Sequence, residues 1–281
     1  MPAIHPTAIV DPQVEVADEV TIGAYCIITG PVTIGAGTVI HAHTLVAGVA
    51  GTTRIGRACQ IGPAAYIGLP PQHLRANLEI GQLIIGDRVI IRETATIHRS
   101  TAAGEDHATR IGDDCFLMGG AHIGHDCVLA DHVTCANAVL LGGHCQIGAR
   151  AFLGGGAAFH QFVRVGRLAI ISGVEPVTQD VPPFAAFRYR ALKGYNAVGC
   201  RRSGMSRQAI HALRSAFRIL HANRVTSQAV AQMTELASSS PEVAELIAFI
   251  KSSRRGIVPS LRSRGQLIDE STSGDDTGGE D

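Results

Sequence analysis

The chain has 281 residues, enough to bury a large core, but it contains no Trp, 4 Tyr and 8 Phe against 32 Gly, so small branched side chains must build that core. Lys and Arg together number 24, as do Asp and Glu, which leaves no net charge to recruit nucleic acid or an anionic membrane. No apolar run approaches the roughly 20 residues of a membrane-spanning helix, and the N-terminus lacks the pattern of a signal peptide. We therefore expect a soluble, cytoplasmic protein without a membrane span.

An apolar repeat of six residues governs the first two thirds of the chain. Its positions run from 4 to 46, from 49 to 67, from 85 to 97 and from 111 to 177, and Gly often follows the apolar residue. Six residues are too few for a helix and its return, but they suit one short strand and a bend. Three such units close a triangular coil, and stacked coils form a parallel β-helix with rungs about 4.8 Å apart. The repeat predicts this all-β fold over residues 1–187.

Two segments interrupt the repeat. Residues 68–84 carry two adjacent prolines and several polar side chains, and residues 99–110 are more polar still. Loops on a regular scaffold often carry function. The first segment is predicted to be either a functional loop or a tolerated insertion, and the second to be a surface loop.

Most of the cysteines lie at one fixed position of the six-residue repeat. Five of the seven fall four residues after the leading apolar residue of a hexad, where Val, Ala and Thr otherwise stand: Cys26, Cys59, Cys115, Cys127 and Cys145. Free Cys commonly behaves as a small core residue, and the chain has no CxxC pair. We expect buried thiols, with no disulfide and no metal site.

A group of histidines becomes a cluster once the coils are counted. His125, Gly143 and Gln161 are separated by three hexads each, so they occupy the same place in successive coils. Further imidazoles lie at or next to this column: His122, His144 and His160. Asp126 follows His125 and would fix its tautomer if the two side chains met. Neighbours in a strand point to opposite faces, so this contact requires a bend or a partner chain.

The period changes to that of helices after two adjacent prolines at 182–183. Ser206 is predicted to cap a helix that runs to about 223, residues 226–237 form a second helix, and Ser240 caps a third that Gly256 stops. We place a small α-helical domain at 188–258 and a disordered acidic tail at 259–281.

The start of the helical domain is rich in positive charge. The cations concerned are Arg188, Arg190, Lys193, Arg201, Arg202 and Arg207. They form either a docking face for an acidic carrier protein or a pyrophosphate, or a solvated basic surface.

Four short motifs resemble a known family. "AHIGHDC", "GGH" at 142–144, "HQFVRVG" and "TQDVPPF" are similar to motifs of the acyl-carrier-protein-dependent UDP-N-acetylglucosamine O-acyltransferases, which begin lipid A synthesis. The resemblance implies a left-handed parallel β-helix followed by helices, and a homotrimer. It also implies transfer of a fatty acyl group from acyl carrier protein to the sugar 3-hydroxyl, without a metal or other cofactor.

The resemblance assigns roles to the histidine column. It makes His125 the general base, Asp126 the residue that orients it, and Gly143 the backbone donor to the oxyanion. The residues expected to line the acceptor and pantetheine groove, between neighbouring subunits, are His122, His144, His160 and Gln161. Gly173 stands at the position that limits acyl-chain length in the family.

The acceptor end of the site departs from the family pattern. The residues assigned to substrate binding there are Gln72, His73, Arg75, Asn196 and Arg202. His73 replaces an acid and Arg75 a lysine of the family motif, while Val198 stands where a glutamate is expected. The acceptor is therefore predicted to be UDP-N-acetylglucosamine or, as an alternative, a related UDP-amino-sugar.

Two other classes of protein fit part of the pattern. Clustered neutral imidazoles are good Zn²⁺ ligands, which would suit a metalloenzyme like the γ-class carbonic anhydrases. A β-helix can also serve as a non-catalytic scaffold for trimerisation. Neither alternative explains both the histidine column and the helical domain.

Overall fold

A computed structural model of the chain describes residues 1–49, 51–75, 80–223 and 226–260. It is a left-handed parallel β-helix followed by four helices in these described residues, as predicted. The strands of the first coils are β1 (Ala3–Ile4), β2 (Ile9–Val10), β3 (Glu15–Val16), β4 (Thr21–Ile22), β5 (Ile27–Thr29), β6 (Val32–Ile34), β7 (Val39–Ile40), β8 (Leu45–Ala47), β9 (Gly51–Ile55), β10 (Gln60–Ile61), β11 (Tyr66–Leu69), β12 (Gly81–Ile85), β13 (Ile90–Ile91) and β14 (Thr96–His98).

A short 3₁₀ turn at Glu105–His107 separates these from the remaining strands, which run almost without interruption. They are β15 (Thr109–Ile111), β16 (Phe116–Leu117), β17 (His122–Ile123), β18 (Val128–Leu129), β19 (Thr134–Cys135), β20 (Leu140–Leu141), β21 (Gln146–Ile147), β22 (Phe152–Leu153), β23 (Ala158–Phe159), β24 (Arg164–Val165), β25 (Ile170–Ile171), β26 (Pro176–Val177), β27 (Ala185–Arg188) and β28 (Ala191–Tyr195).

Up to β26, every third strand lies on the same face, which gives three sheets; β27 and β28 extend the first of them. Their orders are β1-β4-β7-β10-β13-β16-β19-β22-β25-β27-β28, β2-β5-β8-β11-β14-β17-β20-β23-β26 and β3-β6-β9-β12-β15-β18-β21-β24. Apart from the terminal pair of β27 and β28, neighbours are parallel, and in the regular coils they are in register, so that Cys135 pairs with Leu153 and Leu153 with Ile171. The hexad positions therefore stack on one another inside the prism.

The core consists of the repeat positions and the cysteines. All seven cysteines are buried free thiols, as predicted for the five in the repeat. Their position also has a hydrogen-bonding reason: Cys127 Sγ donates to the Gly142 carbonyl at 3.2 Å and Cys145 Sγ to the His160 carbonyl at 3.3 Å. Burial raises the pKa of Cys115 to about 12, so this core thiol stays protonated.

The corners of the prism use left-handed backbone conformations at residues other than glycine. One column of such corners runs beside the histidines, with φ of 60° at Asp126, 62° at His144 and 65° at Phe162. A left-handed residue breaks the alternation of a strand and turns its side chain toward the side of its predecessor. This supplies the bend that a contact between neighbouring residues 125 and 126 requires.

The C-terminal part differs in two details from the prediction. The boundary drawn at 187/188 falls inside the antiparallel hairpin of β27 and β28, which extends one sheet of the prism. The helices are α1 (Ala197–Arg202), α2 (Arg207–Ala222), α3 (Thr226–Ala237) and α4 (Pro241–Ser252), and the sequence did not predict α1. Its six residues are too few to show a helical period.

The predicted helix caps agree with the structure, but the predicted stop does not. Ser206 accepts the Ala209 N–H and Ser240 accepts the Val243 N–H. Helix α4 ends at Ser252, and Gly256 lies in the segment beyond it with φ of 76°. The predicted disordered tail lies, from residue 261 onward, outside the described residues. None of the described helices is long and apolar enough to cross a bilayer.

Candidate active site

The predicted histidine column is present at one corner of the prism. Backbone hydrogen bonds stack its coils: the His144 N–H donates to the His125 carbonyl at 2.9 Å, and the Phe162 N–H donates to the Gly143 carbonyl at 3.0 Å. The rings of His125 and His144 meet edge to face with centroids 5.2 Å apart. Side chains separated by one coil in sequence thus touch in space.

His125 and Asp126 form a hydrogen-bonded pair. The distance from His125 Nδ1 to Asp126 Oδ2 is 2.6 Å, and His125 is only 5% exposed. Burial opposes ionisation of Asp126, but the hydrogen bonds from His125 and Thr101 outweigh it and lower the pKa of this carboxyl below its usual value. Because an ionised carboxylate can only accept, His125 carries its proton on Nδ1. Its Nε2 is left with a free lone pair.

Thr101 is a positioning residue that the sequence reasoning missed. Its backbone N–H donates to Asp126 Oδ1 at 2.9 Å and its hydroxyl donates to Asp126 Oδ2 at 3.0 Å. Thr101 lies in the interruption at 99–110, which the sequence predicts to be a surface loop. The loop therefore holds the carboxylate that orients the histidine, and no spacing in the sequence signals this contact.

Gly143 lies directly against the imidazole of His125. A Cβ at this position would stand 2.4 Å from His125 Cε1 and 2.6 Å from Nε2, far inside any real contact. No hydrogen bond of the described residues uses the Gly143 N–H. The position thus combines close approach to the imidazole with an unused backbone donor, which is the arrangement needed to bind an oxyanion.

His144 contacts both His125 and Asp126. Its Nε2 lies 3.5 Å from Asp126 Oδ2, and its ring stacks on Phe162 at 4.4 Å between centroids. Burial lowers the pKa of His144; Asp126 opposes this, and the nearby imidazoles of His125 and His73 add to the lowering. His144 therefore favours the neutral form beside His125.

A second pair of imidazoles lies next to the first. His122 is half-buried and its Nδ1 is 2.8 Å from the Thr96 hydroxyl, while His98, which the sequence reasoning did not select, lies 5.3 Å from it between ring centroids. His98 donates from Nδ1 to the Pro70 carbonyl at 2.7 Å. Burial lowers the pKa of both rings, and their closeness to other imidazoles lowers it further.

The loop after β11 folds over this corner. The ring of His73 meets that of His125 edge to face, with centroids 5.6 Å apart. The Arg75 N–H donates to His73 Nδ1 at 3.2 Å, so His73 carries its proton on Nε2. Gln72 and Arg75 have exposed side chains beside it. Of the two readings left open for residues 68–84, the contact with His125 favours the functional loop.

Two predicted residues lie on the open surface of the column. His160 and Gln161 are exposed, and His160 Nδ1 is 3.1 Å from the Gln161 carbonyl. Gly173 is also exposed, on a different corner, and a Cβ there would lie 3.0 Å from the Gly155 carbonyl oxygen. Its role in limiting acyl-chain length stays a prediction.

The helical domain carries the remaining predicted residues, away from the described contacts of the cluster. Asn196 caps α1 by accepting the Gly199 N–H at 2.9 Å, and it donates to the Leu168 carbonyl at 2.8 Å. Arg202 and Val198 are exposed on the same short helix. These contacts give Asn196 a structural role, and substrate binding by Asn196 and Arg202 stays a prediction.

One group could in principle hold a metal ion. His125, Asp126 and His144 each offer a ligand atom, and these atoms lie within 4.8 Å of one another. Two ligands of tetrahedral zinc, each about 2.0 Å from the metal, stand roughly 3.3 Å apart, whereas His125 Nδ1 and Asp126 Oδ2 are at 2.6 Å. The geometry is that of a hydrogen-bonded pair, which a metal would have to separate.

Known proteins match both parts of the chain. A family model described as UDP-N-acetylglucosamine O-acyltransferase, domain 2, matches residues 180–258. The acyl-[acyl-carrier-protein]–UDP-N-acetylglucosamine O-acyltransferase of Thermodesulfovibrio yellowstonii is 42% identical over 260 residues, which cover 92% of this chain and 99% of that protein.

Solved structures agree with this relationship over nearly the whole chain. The UDP-N-acetylglucosamine O-acyltransferase of Moraxella catarrhalis, 36% identical, superimposes with a TM-score of 0.84 over 91% of this chain and 99% of its own. The UDP-N-acetylglucosamine acyltransferase of Francisella novicida, 30% identical, does so with a TM-score of 0.85 over 92% and 94%. The chain therefore belongs to the family of acyl-[acyl-carrier-protein]–UDP-N-acetylglucosamine O-acyltransferases.

Proposed function

We propose that the protein transfers a fatty acyl group from acyl carrier protein to the 3-hydroxyl of UDP-N-acetylglucosamine, the reaction that begins lipid A synthesis. The names of its relatives supply the two substrates. The observation that carries the chemistry is the pair of His125 and Asp126 at 2.6 Å, with Gly143 directly against the imidazole.

The proposed mechanism starts with His125 as the base. Its Nε2 takes the proton from the sugar hydroxyl as the oxygen attacks the thioester carbonyl. The imidazolium that forms keeps its Nδ1 hydrogen bond to Asp126, whose negative charge stabilises it. Thr101 holds the carboxylate in place through two hydrogen bonds, so little reorganisation is needed when the charge appears.

The tetrahedral intermediate then breaks down at the carbon–sulfur bond. The Gly143 N–H donates to the negatively charged oxygen while the intermediate exists. When the bond breaks, the thiolate of the carrier arm leaves and His125 returns its proton to the sulfur. The acyl group passes directly from sulfur to oxygen, and the base ends in its starting state.

The burial and raised pKa of the cysteine thiols support direct transfer. All seven cysteines are buried, and burial raises the pKa of Cys59, Cys115 and Cys135 above the usual value. A buried protonated thiol is a poor nucleophile. The cysteines therefore do not offer a covalent acyl-enzyme route.

We further propose a cytoplasmic homotrimer in which the groove beside His125 is completed by a neighbouring subunit. His125 is only 5% exposed, whereas His160 and Gln161 beside it are exposed. A neighbouring subunit could therefore cover His160 and Gln161 and form the other wall of the groove. The acceptor could instead be a related UDP-amino-sugar, because His73 and Val198 stand where the family pattern has acids.

The mechanism predicts that His125→Ala nearly abolishes transfer without unfolding the protein. General bases contribute about 10²–10⁴-fold to the rate, so kcat with acyl carrier protein and UDP-N-acetylglucosamine should fall within that range. His211→Ala, an exposed histidine on α2, serves as the matched control and should behave as wild type. A variant that keeps more than about a tenth of the wild-type kcat removes His125 from the role of base.

A further inference from the structure

A single groove connects Asp126 and His144 with the segment after α4. It has a volume of about 590 Å³, and Asp126 and His144 line one end. The residues along it include Phe162, Asp180, Arg254 and Arg255. The groove therefore runs from Asp126 and His144, the two side chains that contact the proposed base His125, to a pair of adjacent arginines.

The two arginines are held in place by the prism. They lie in the segment after α4, where the Arg255 guanidinium donates to the Thr178 carbonyl at 3.2 Å and Gln179 donates to the Arg255 carbonyl at 3.3 Å. The Asp180 N–H donates to the Gly256 carbonyl at 3.1 Å. Backbone and side-chain bonds on both sides thus fix the pair at the level of Asp180.

The positive charge of this pair is not neutralised locally. The Asp126 carboxylate accepts a hydrogen bond from His125. Asp180 is 2% exposed, accepts the Ser253 hydroxyl at 2.8 Å and lies 3.3 Å from Arg164 Nε. In the described part of the chain, no hydrogen bond or ion pair engages the Arg254 guanidinium, which is exposed. Two cations therefore face the groove with no carboxylate assigned to them.

The length of the groove can be counted in coils. Asp126, His144 and Phe162 occupy one corner of successive coils, and the rings of His144 and Phe162 are stacked at 4.4 Å. Asp180 lies on the next coil, where Val181 pairs with Val165. Rungs of a β-helix are about 4.8 Å apart, so Asp180 lies roughly 14 Å along the axis from Asp126. An anion at Arg254 and Arg255 thus lies roughly this far from the reacting atoms.

We propose that Arg254 and Arg255 bind the phosphate of the phosphopantetheine arm that carries the acyl group. This inference rests on the proposed function. About 13 bonds join the thioester sulfur to the phosphorus of that arm, which spans about 15 Å when extended at the reach of a polypeptide backbone. The pyrophosphate of a UDP-sugar is only about five bonds from the 3-hydroxyl, roughly 6 Å at the same reach. The longer arm matches the groove, and guanidinium groups suit a phosphate.

The test compares two ligands that differ by one phosphate. Acyl-phosphopantetheine and acyl-pantetheine are titrated into the full-length protein by calorimetry, which needs no turnover. Wild type is expected to bind the phosphorylated ligand about tenfold tighter or more. In Arg254→Gln/Arg255→Gln the ratio should fall close to one, with the affinity for acyl-pantetheine unchanged. Arg254→Gln alone removes no described contact and should lose part of the preference.

A control variant and a titration with UDP show whether a lost preference for the phosphorylated ligand is specific to Arg254 and Arg255. Arg214→Gln/Arg218→Gln, on the exposed side of α2, should keep the wild-type ratio. UDP is titrated into the same proteins, and a double variant that weakens UDP rather than the phosphorylated arm assigns the arginines to the acceptor and overturns the inference. A ratio near one in wild type overturns it as well. Failure of the proposed function is distinct, because it appears as absence of transfer from acyl carrier protein.

Discussion

Gly143→Ala should displace His125, the proposed base, without changing that residue itself. The new Cβ would stand 2.4 Å from His125 Cε1, and an ordinary contact begins at 3.4 Å, so the ring or the backbone must retreat by about 1 Å. Retreat of the ring breaks the 2.6 Å hydrogen bond to Asp126, and retreat of the backbone displaces the Gly143 N–H, the proposed oxyanion donor. Because misplacement by about 1 Å can cost on the order of 10²-fold in rate, we expect kcat to fall about 100-fold.

The same clash predicts non-additive stability. Overpacking of a buried site costs typically about 1–3 kcal/mol, so Gly143→Ala should lower the melting temperature of the wild-type protein. In the His125→Ala background the colliding ring is gone, and the same substitution should have little effect. Transfer assays and thermal unfolding of the four proteins complete the cycle. Equal loss of stability in both backgrounds, or a kcat above about a tenth of wild type, would refute the reasoning.

Two further predictions concern the acceptor and pH. His73→Asp with Val198→Glu restores the acids of the family pattern. The ratio of kcat/KM for UDP-N-acetylglucosamine to that for its 3-amino analogue should then change several-fold, because a missing hydrogen-bond acceptor costs about 1–3 kcal/mol per unpaired donor. Equal ratios in the variant and the wild type would show that neither position contacts the sugar. Burial lowers the pKa of His98 below 6.5, so the unfolded chain binds protons more tightly and stability should fall as the pH drops through 6.5 toward the lower folded value. Melting temperatures at about pH 8 and about pH 5.5 should differ less in His98→Gln than in wild type, whereas the exposed control His211→Gln should keep the wild-type difference; an unchanged difference in His98→Gln would rule out His98 as a source.

Where the local period is unbroken, much of this protein can be read from its sequence. Burial in a β-helix repeats with the coil, so the hexads alone place the core and bring His125, Gly143 and Gln161 into one column. Ser206 and Ser240 predict the start of their helices because an N-cap residue acts within the first helical turn. The family motifs add the roles of the column residues, which no spacing could supply.

The contacts that complete the site depend on paths through loops. The step from Ile97 to its partner Ile123 on the next rung is 26 residues instead of the usual 18, so the coil count that finds His144 does not lead to His98. Thr101 reaches Asp126 from the same long loop.

Backbone conformation and long-range contacts decide the rest. The contact of Asp126 with His125 depends on a left-handed corner of φ 60°, and Arg254 and Arg255 reach the groove only because Asp180 and its neighbours hold the segment after α4 against the prism. A repeated local pattern determines which residues are buried and stacked. Only the folded chain decides which residues of distant segments meet at its corners, because those meetings depend on loop paths that have no period.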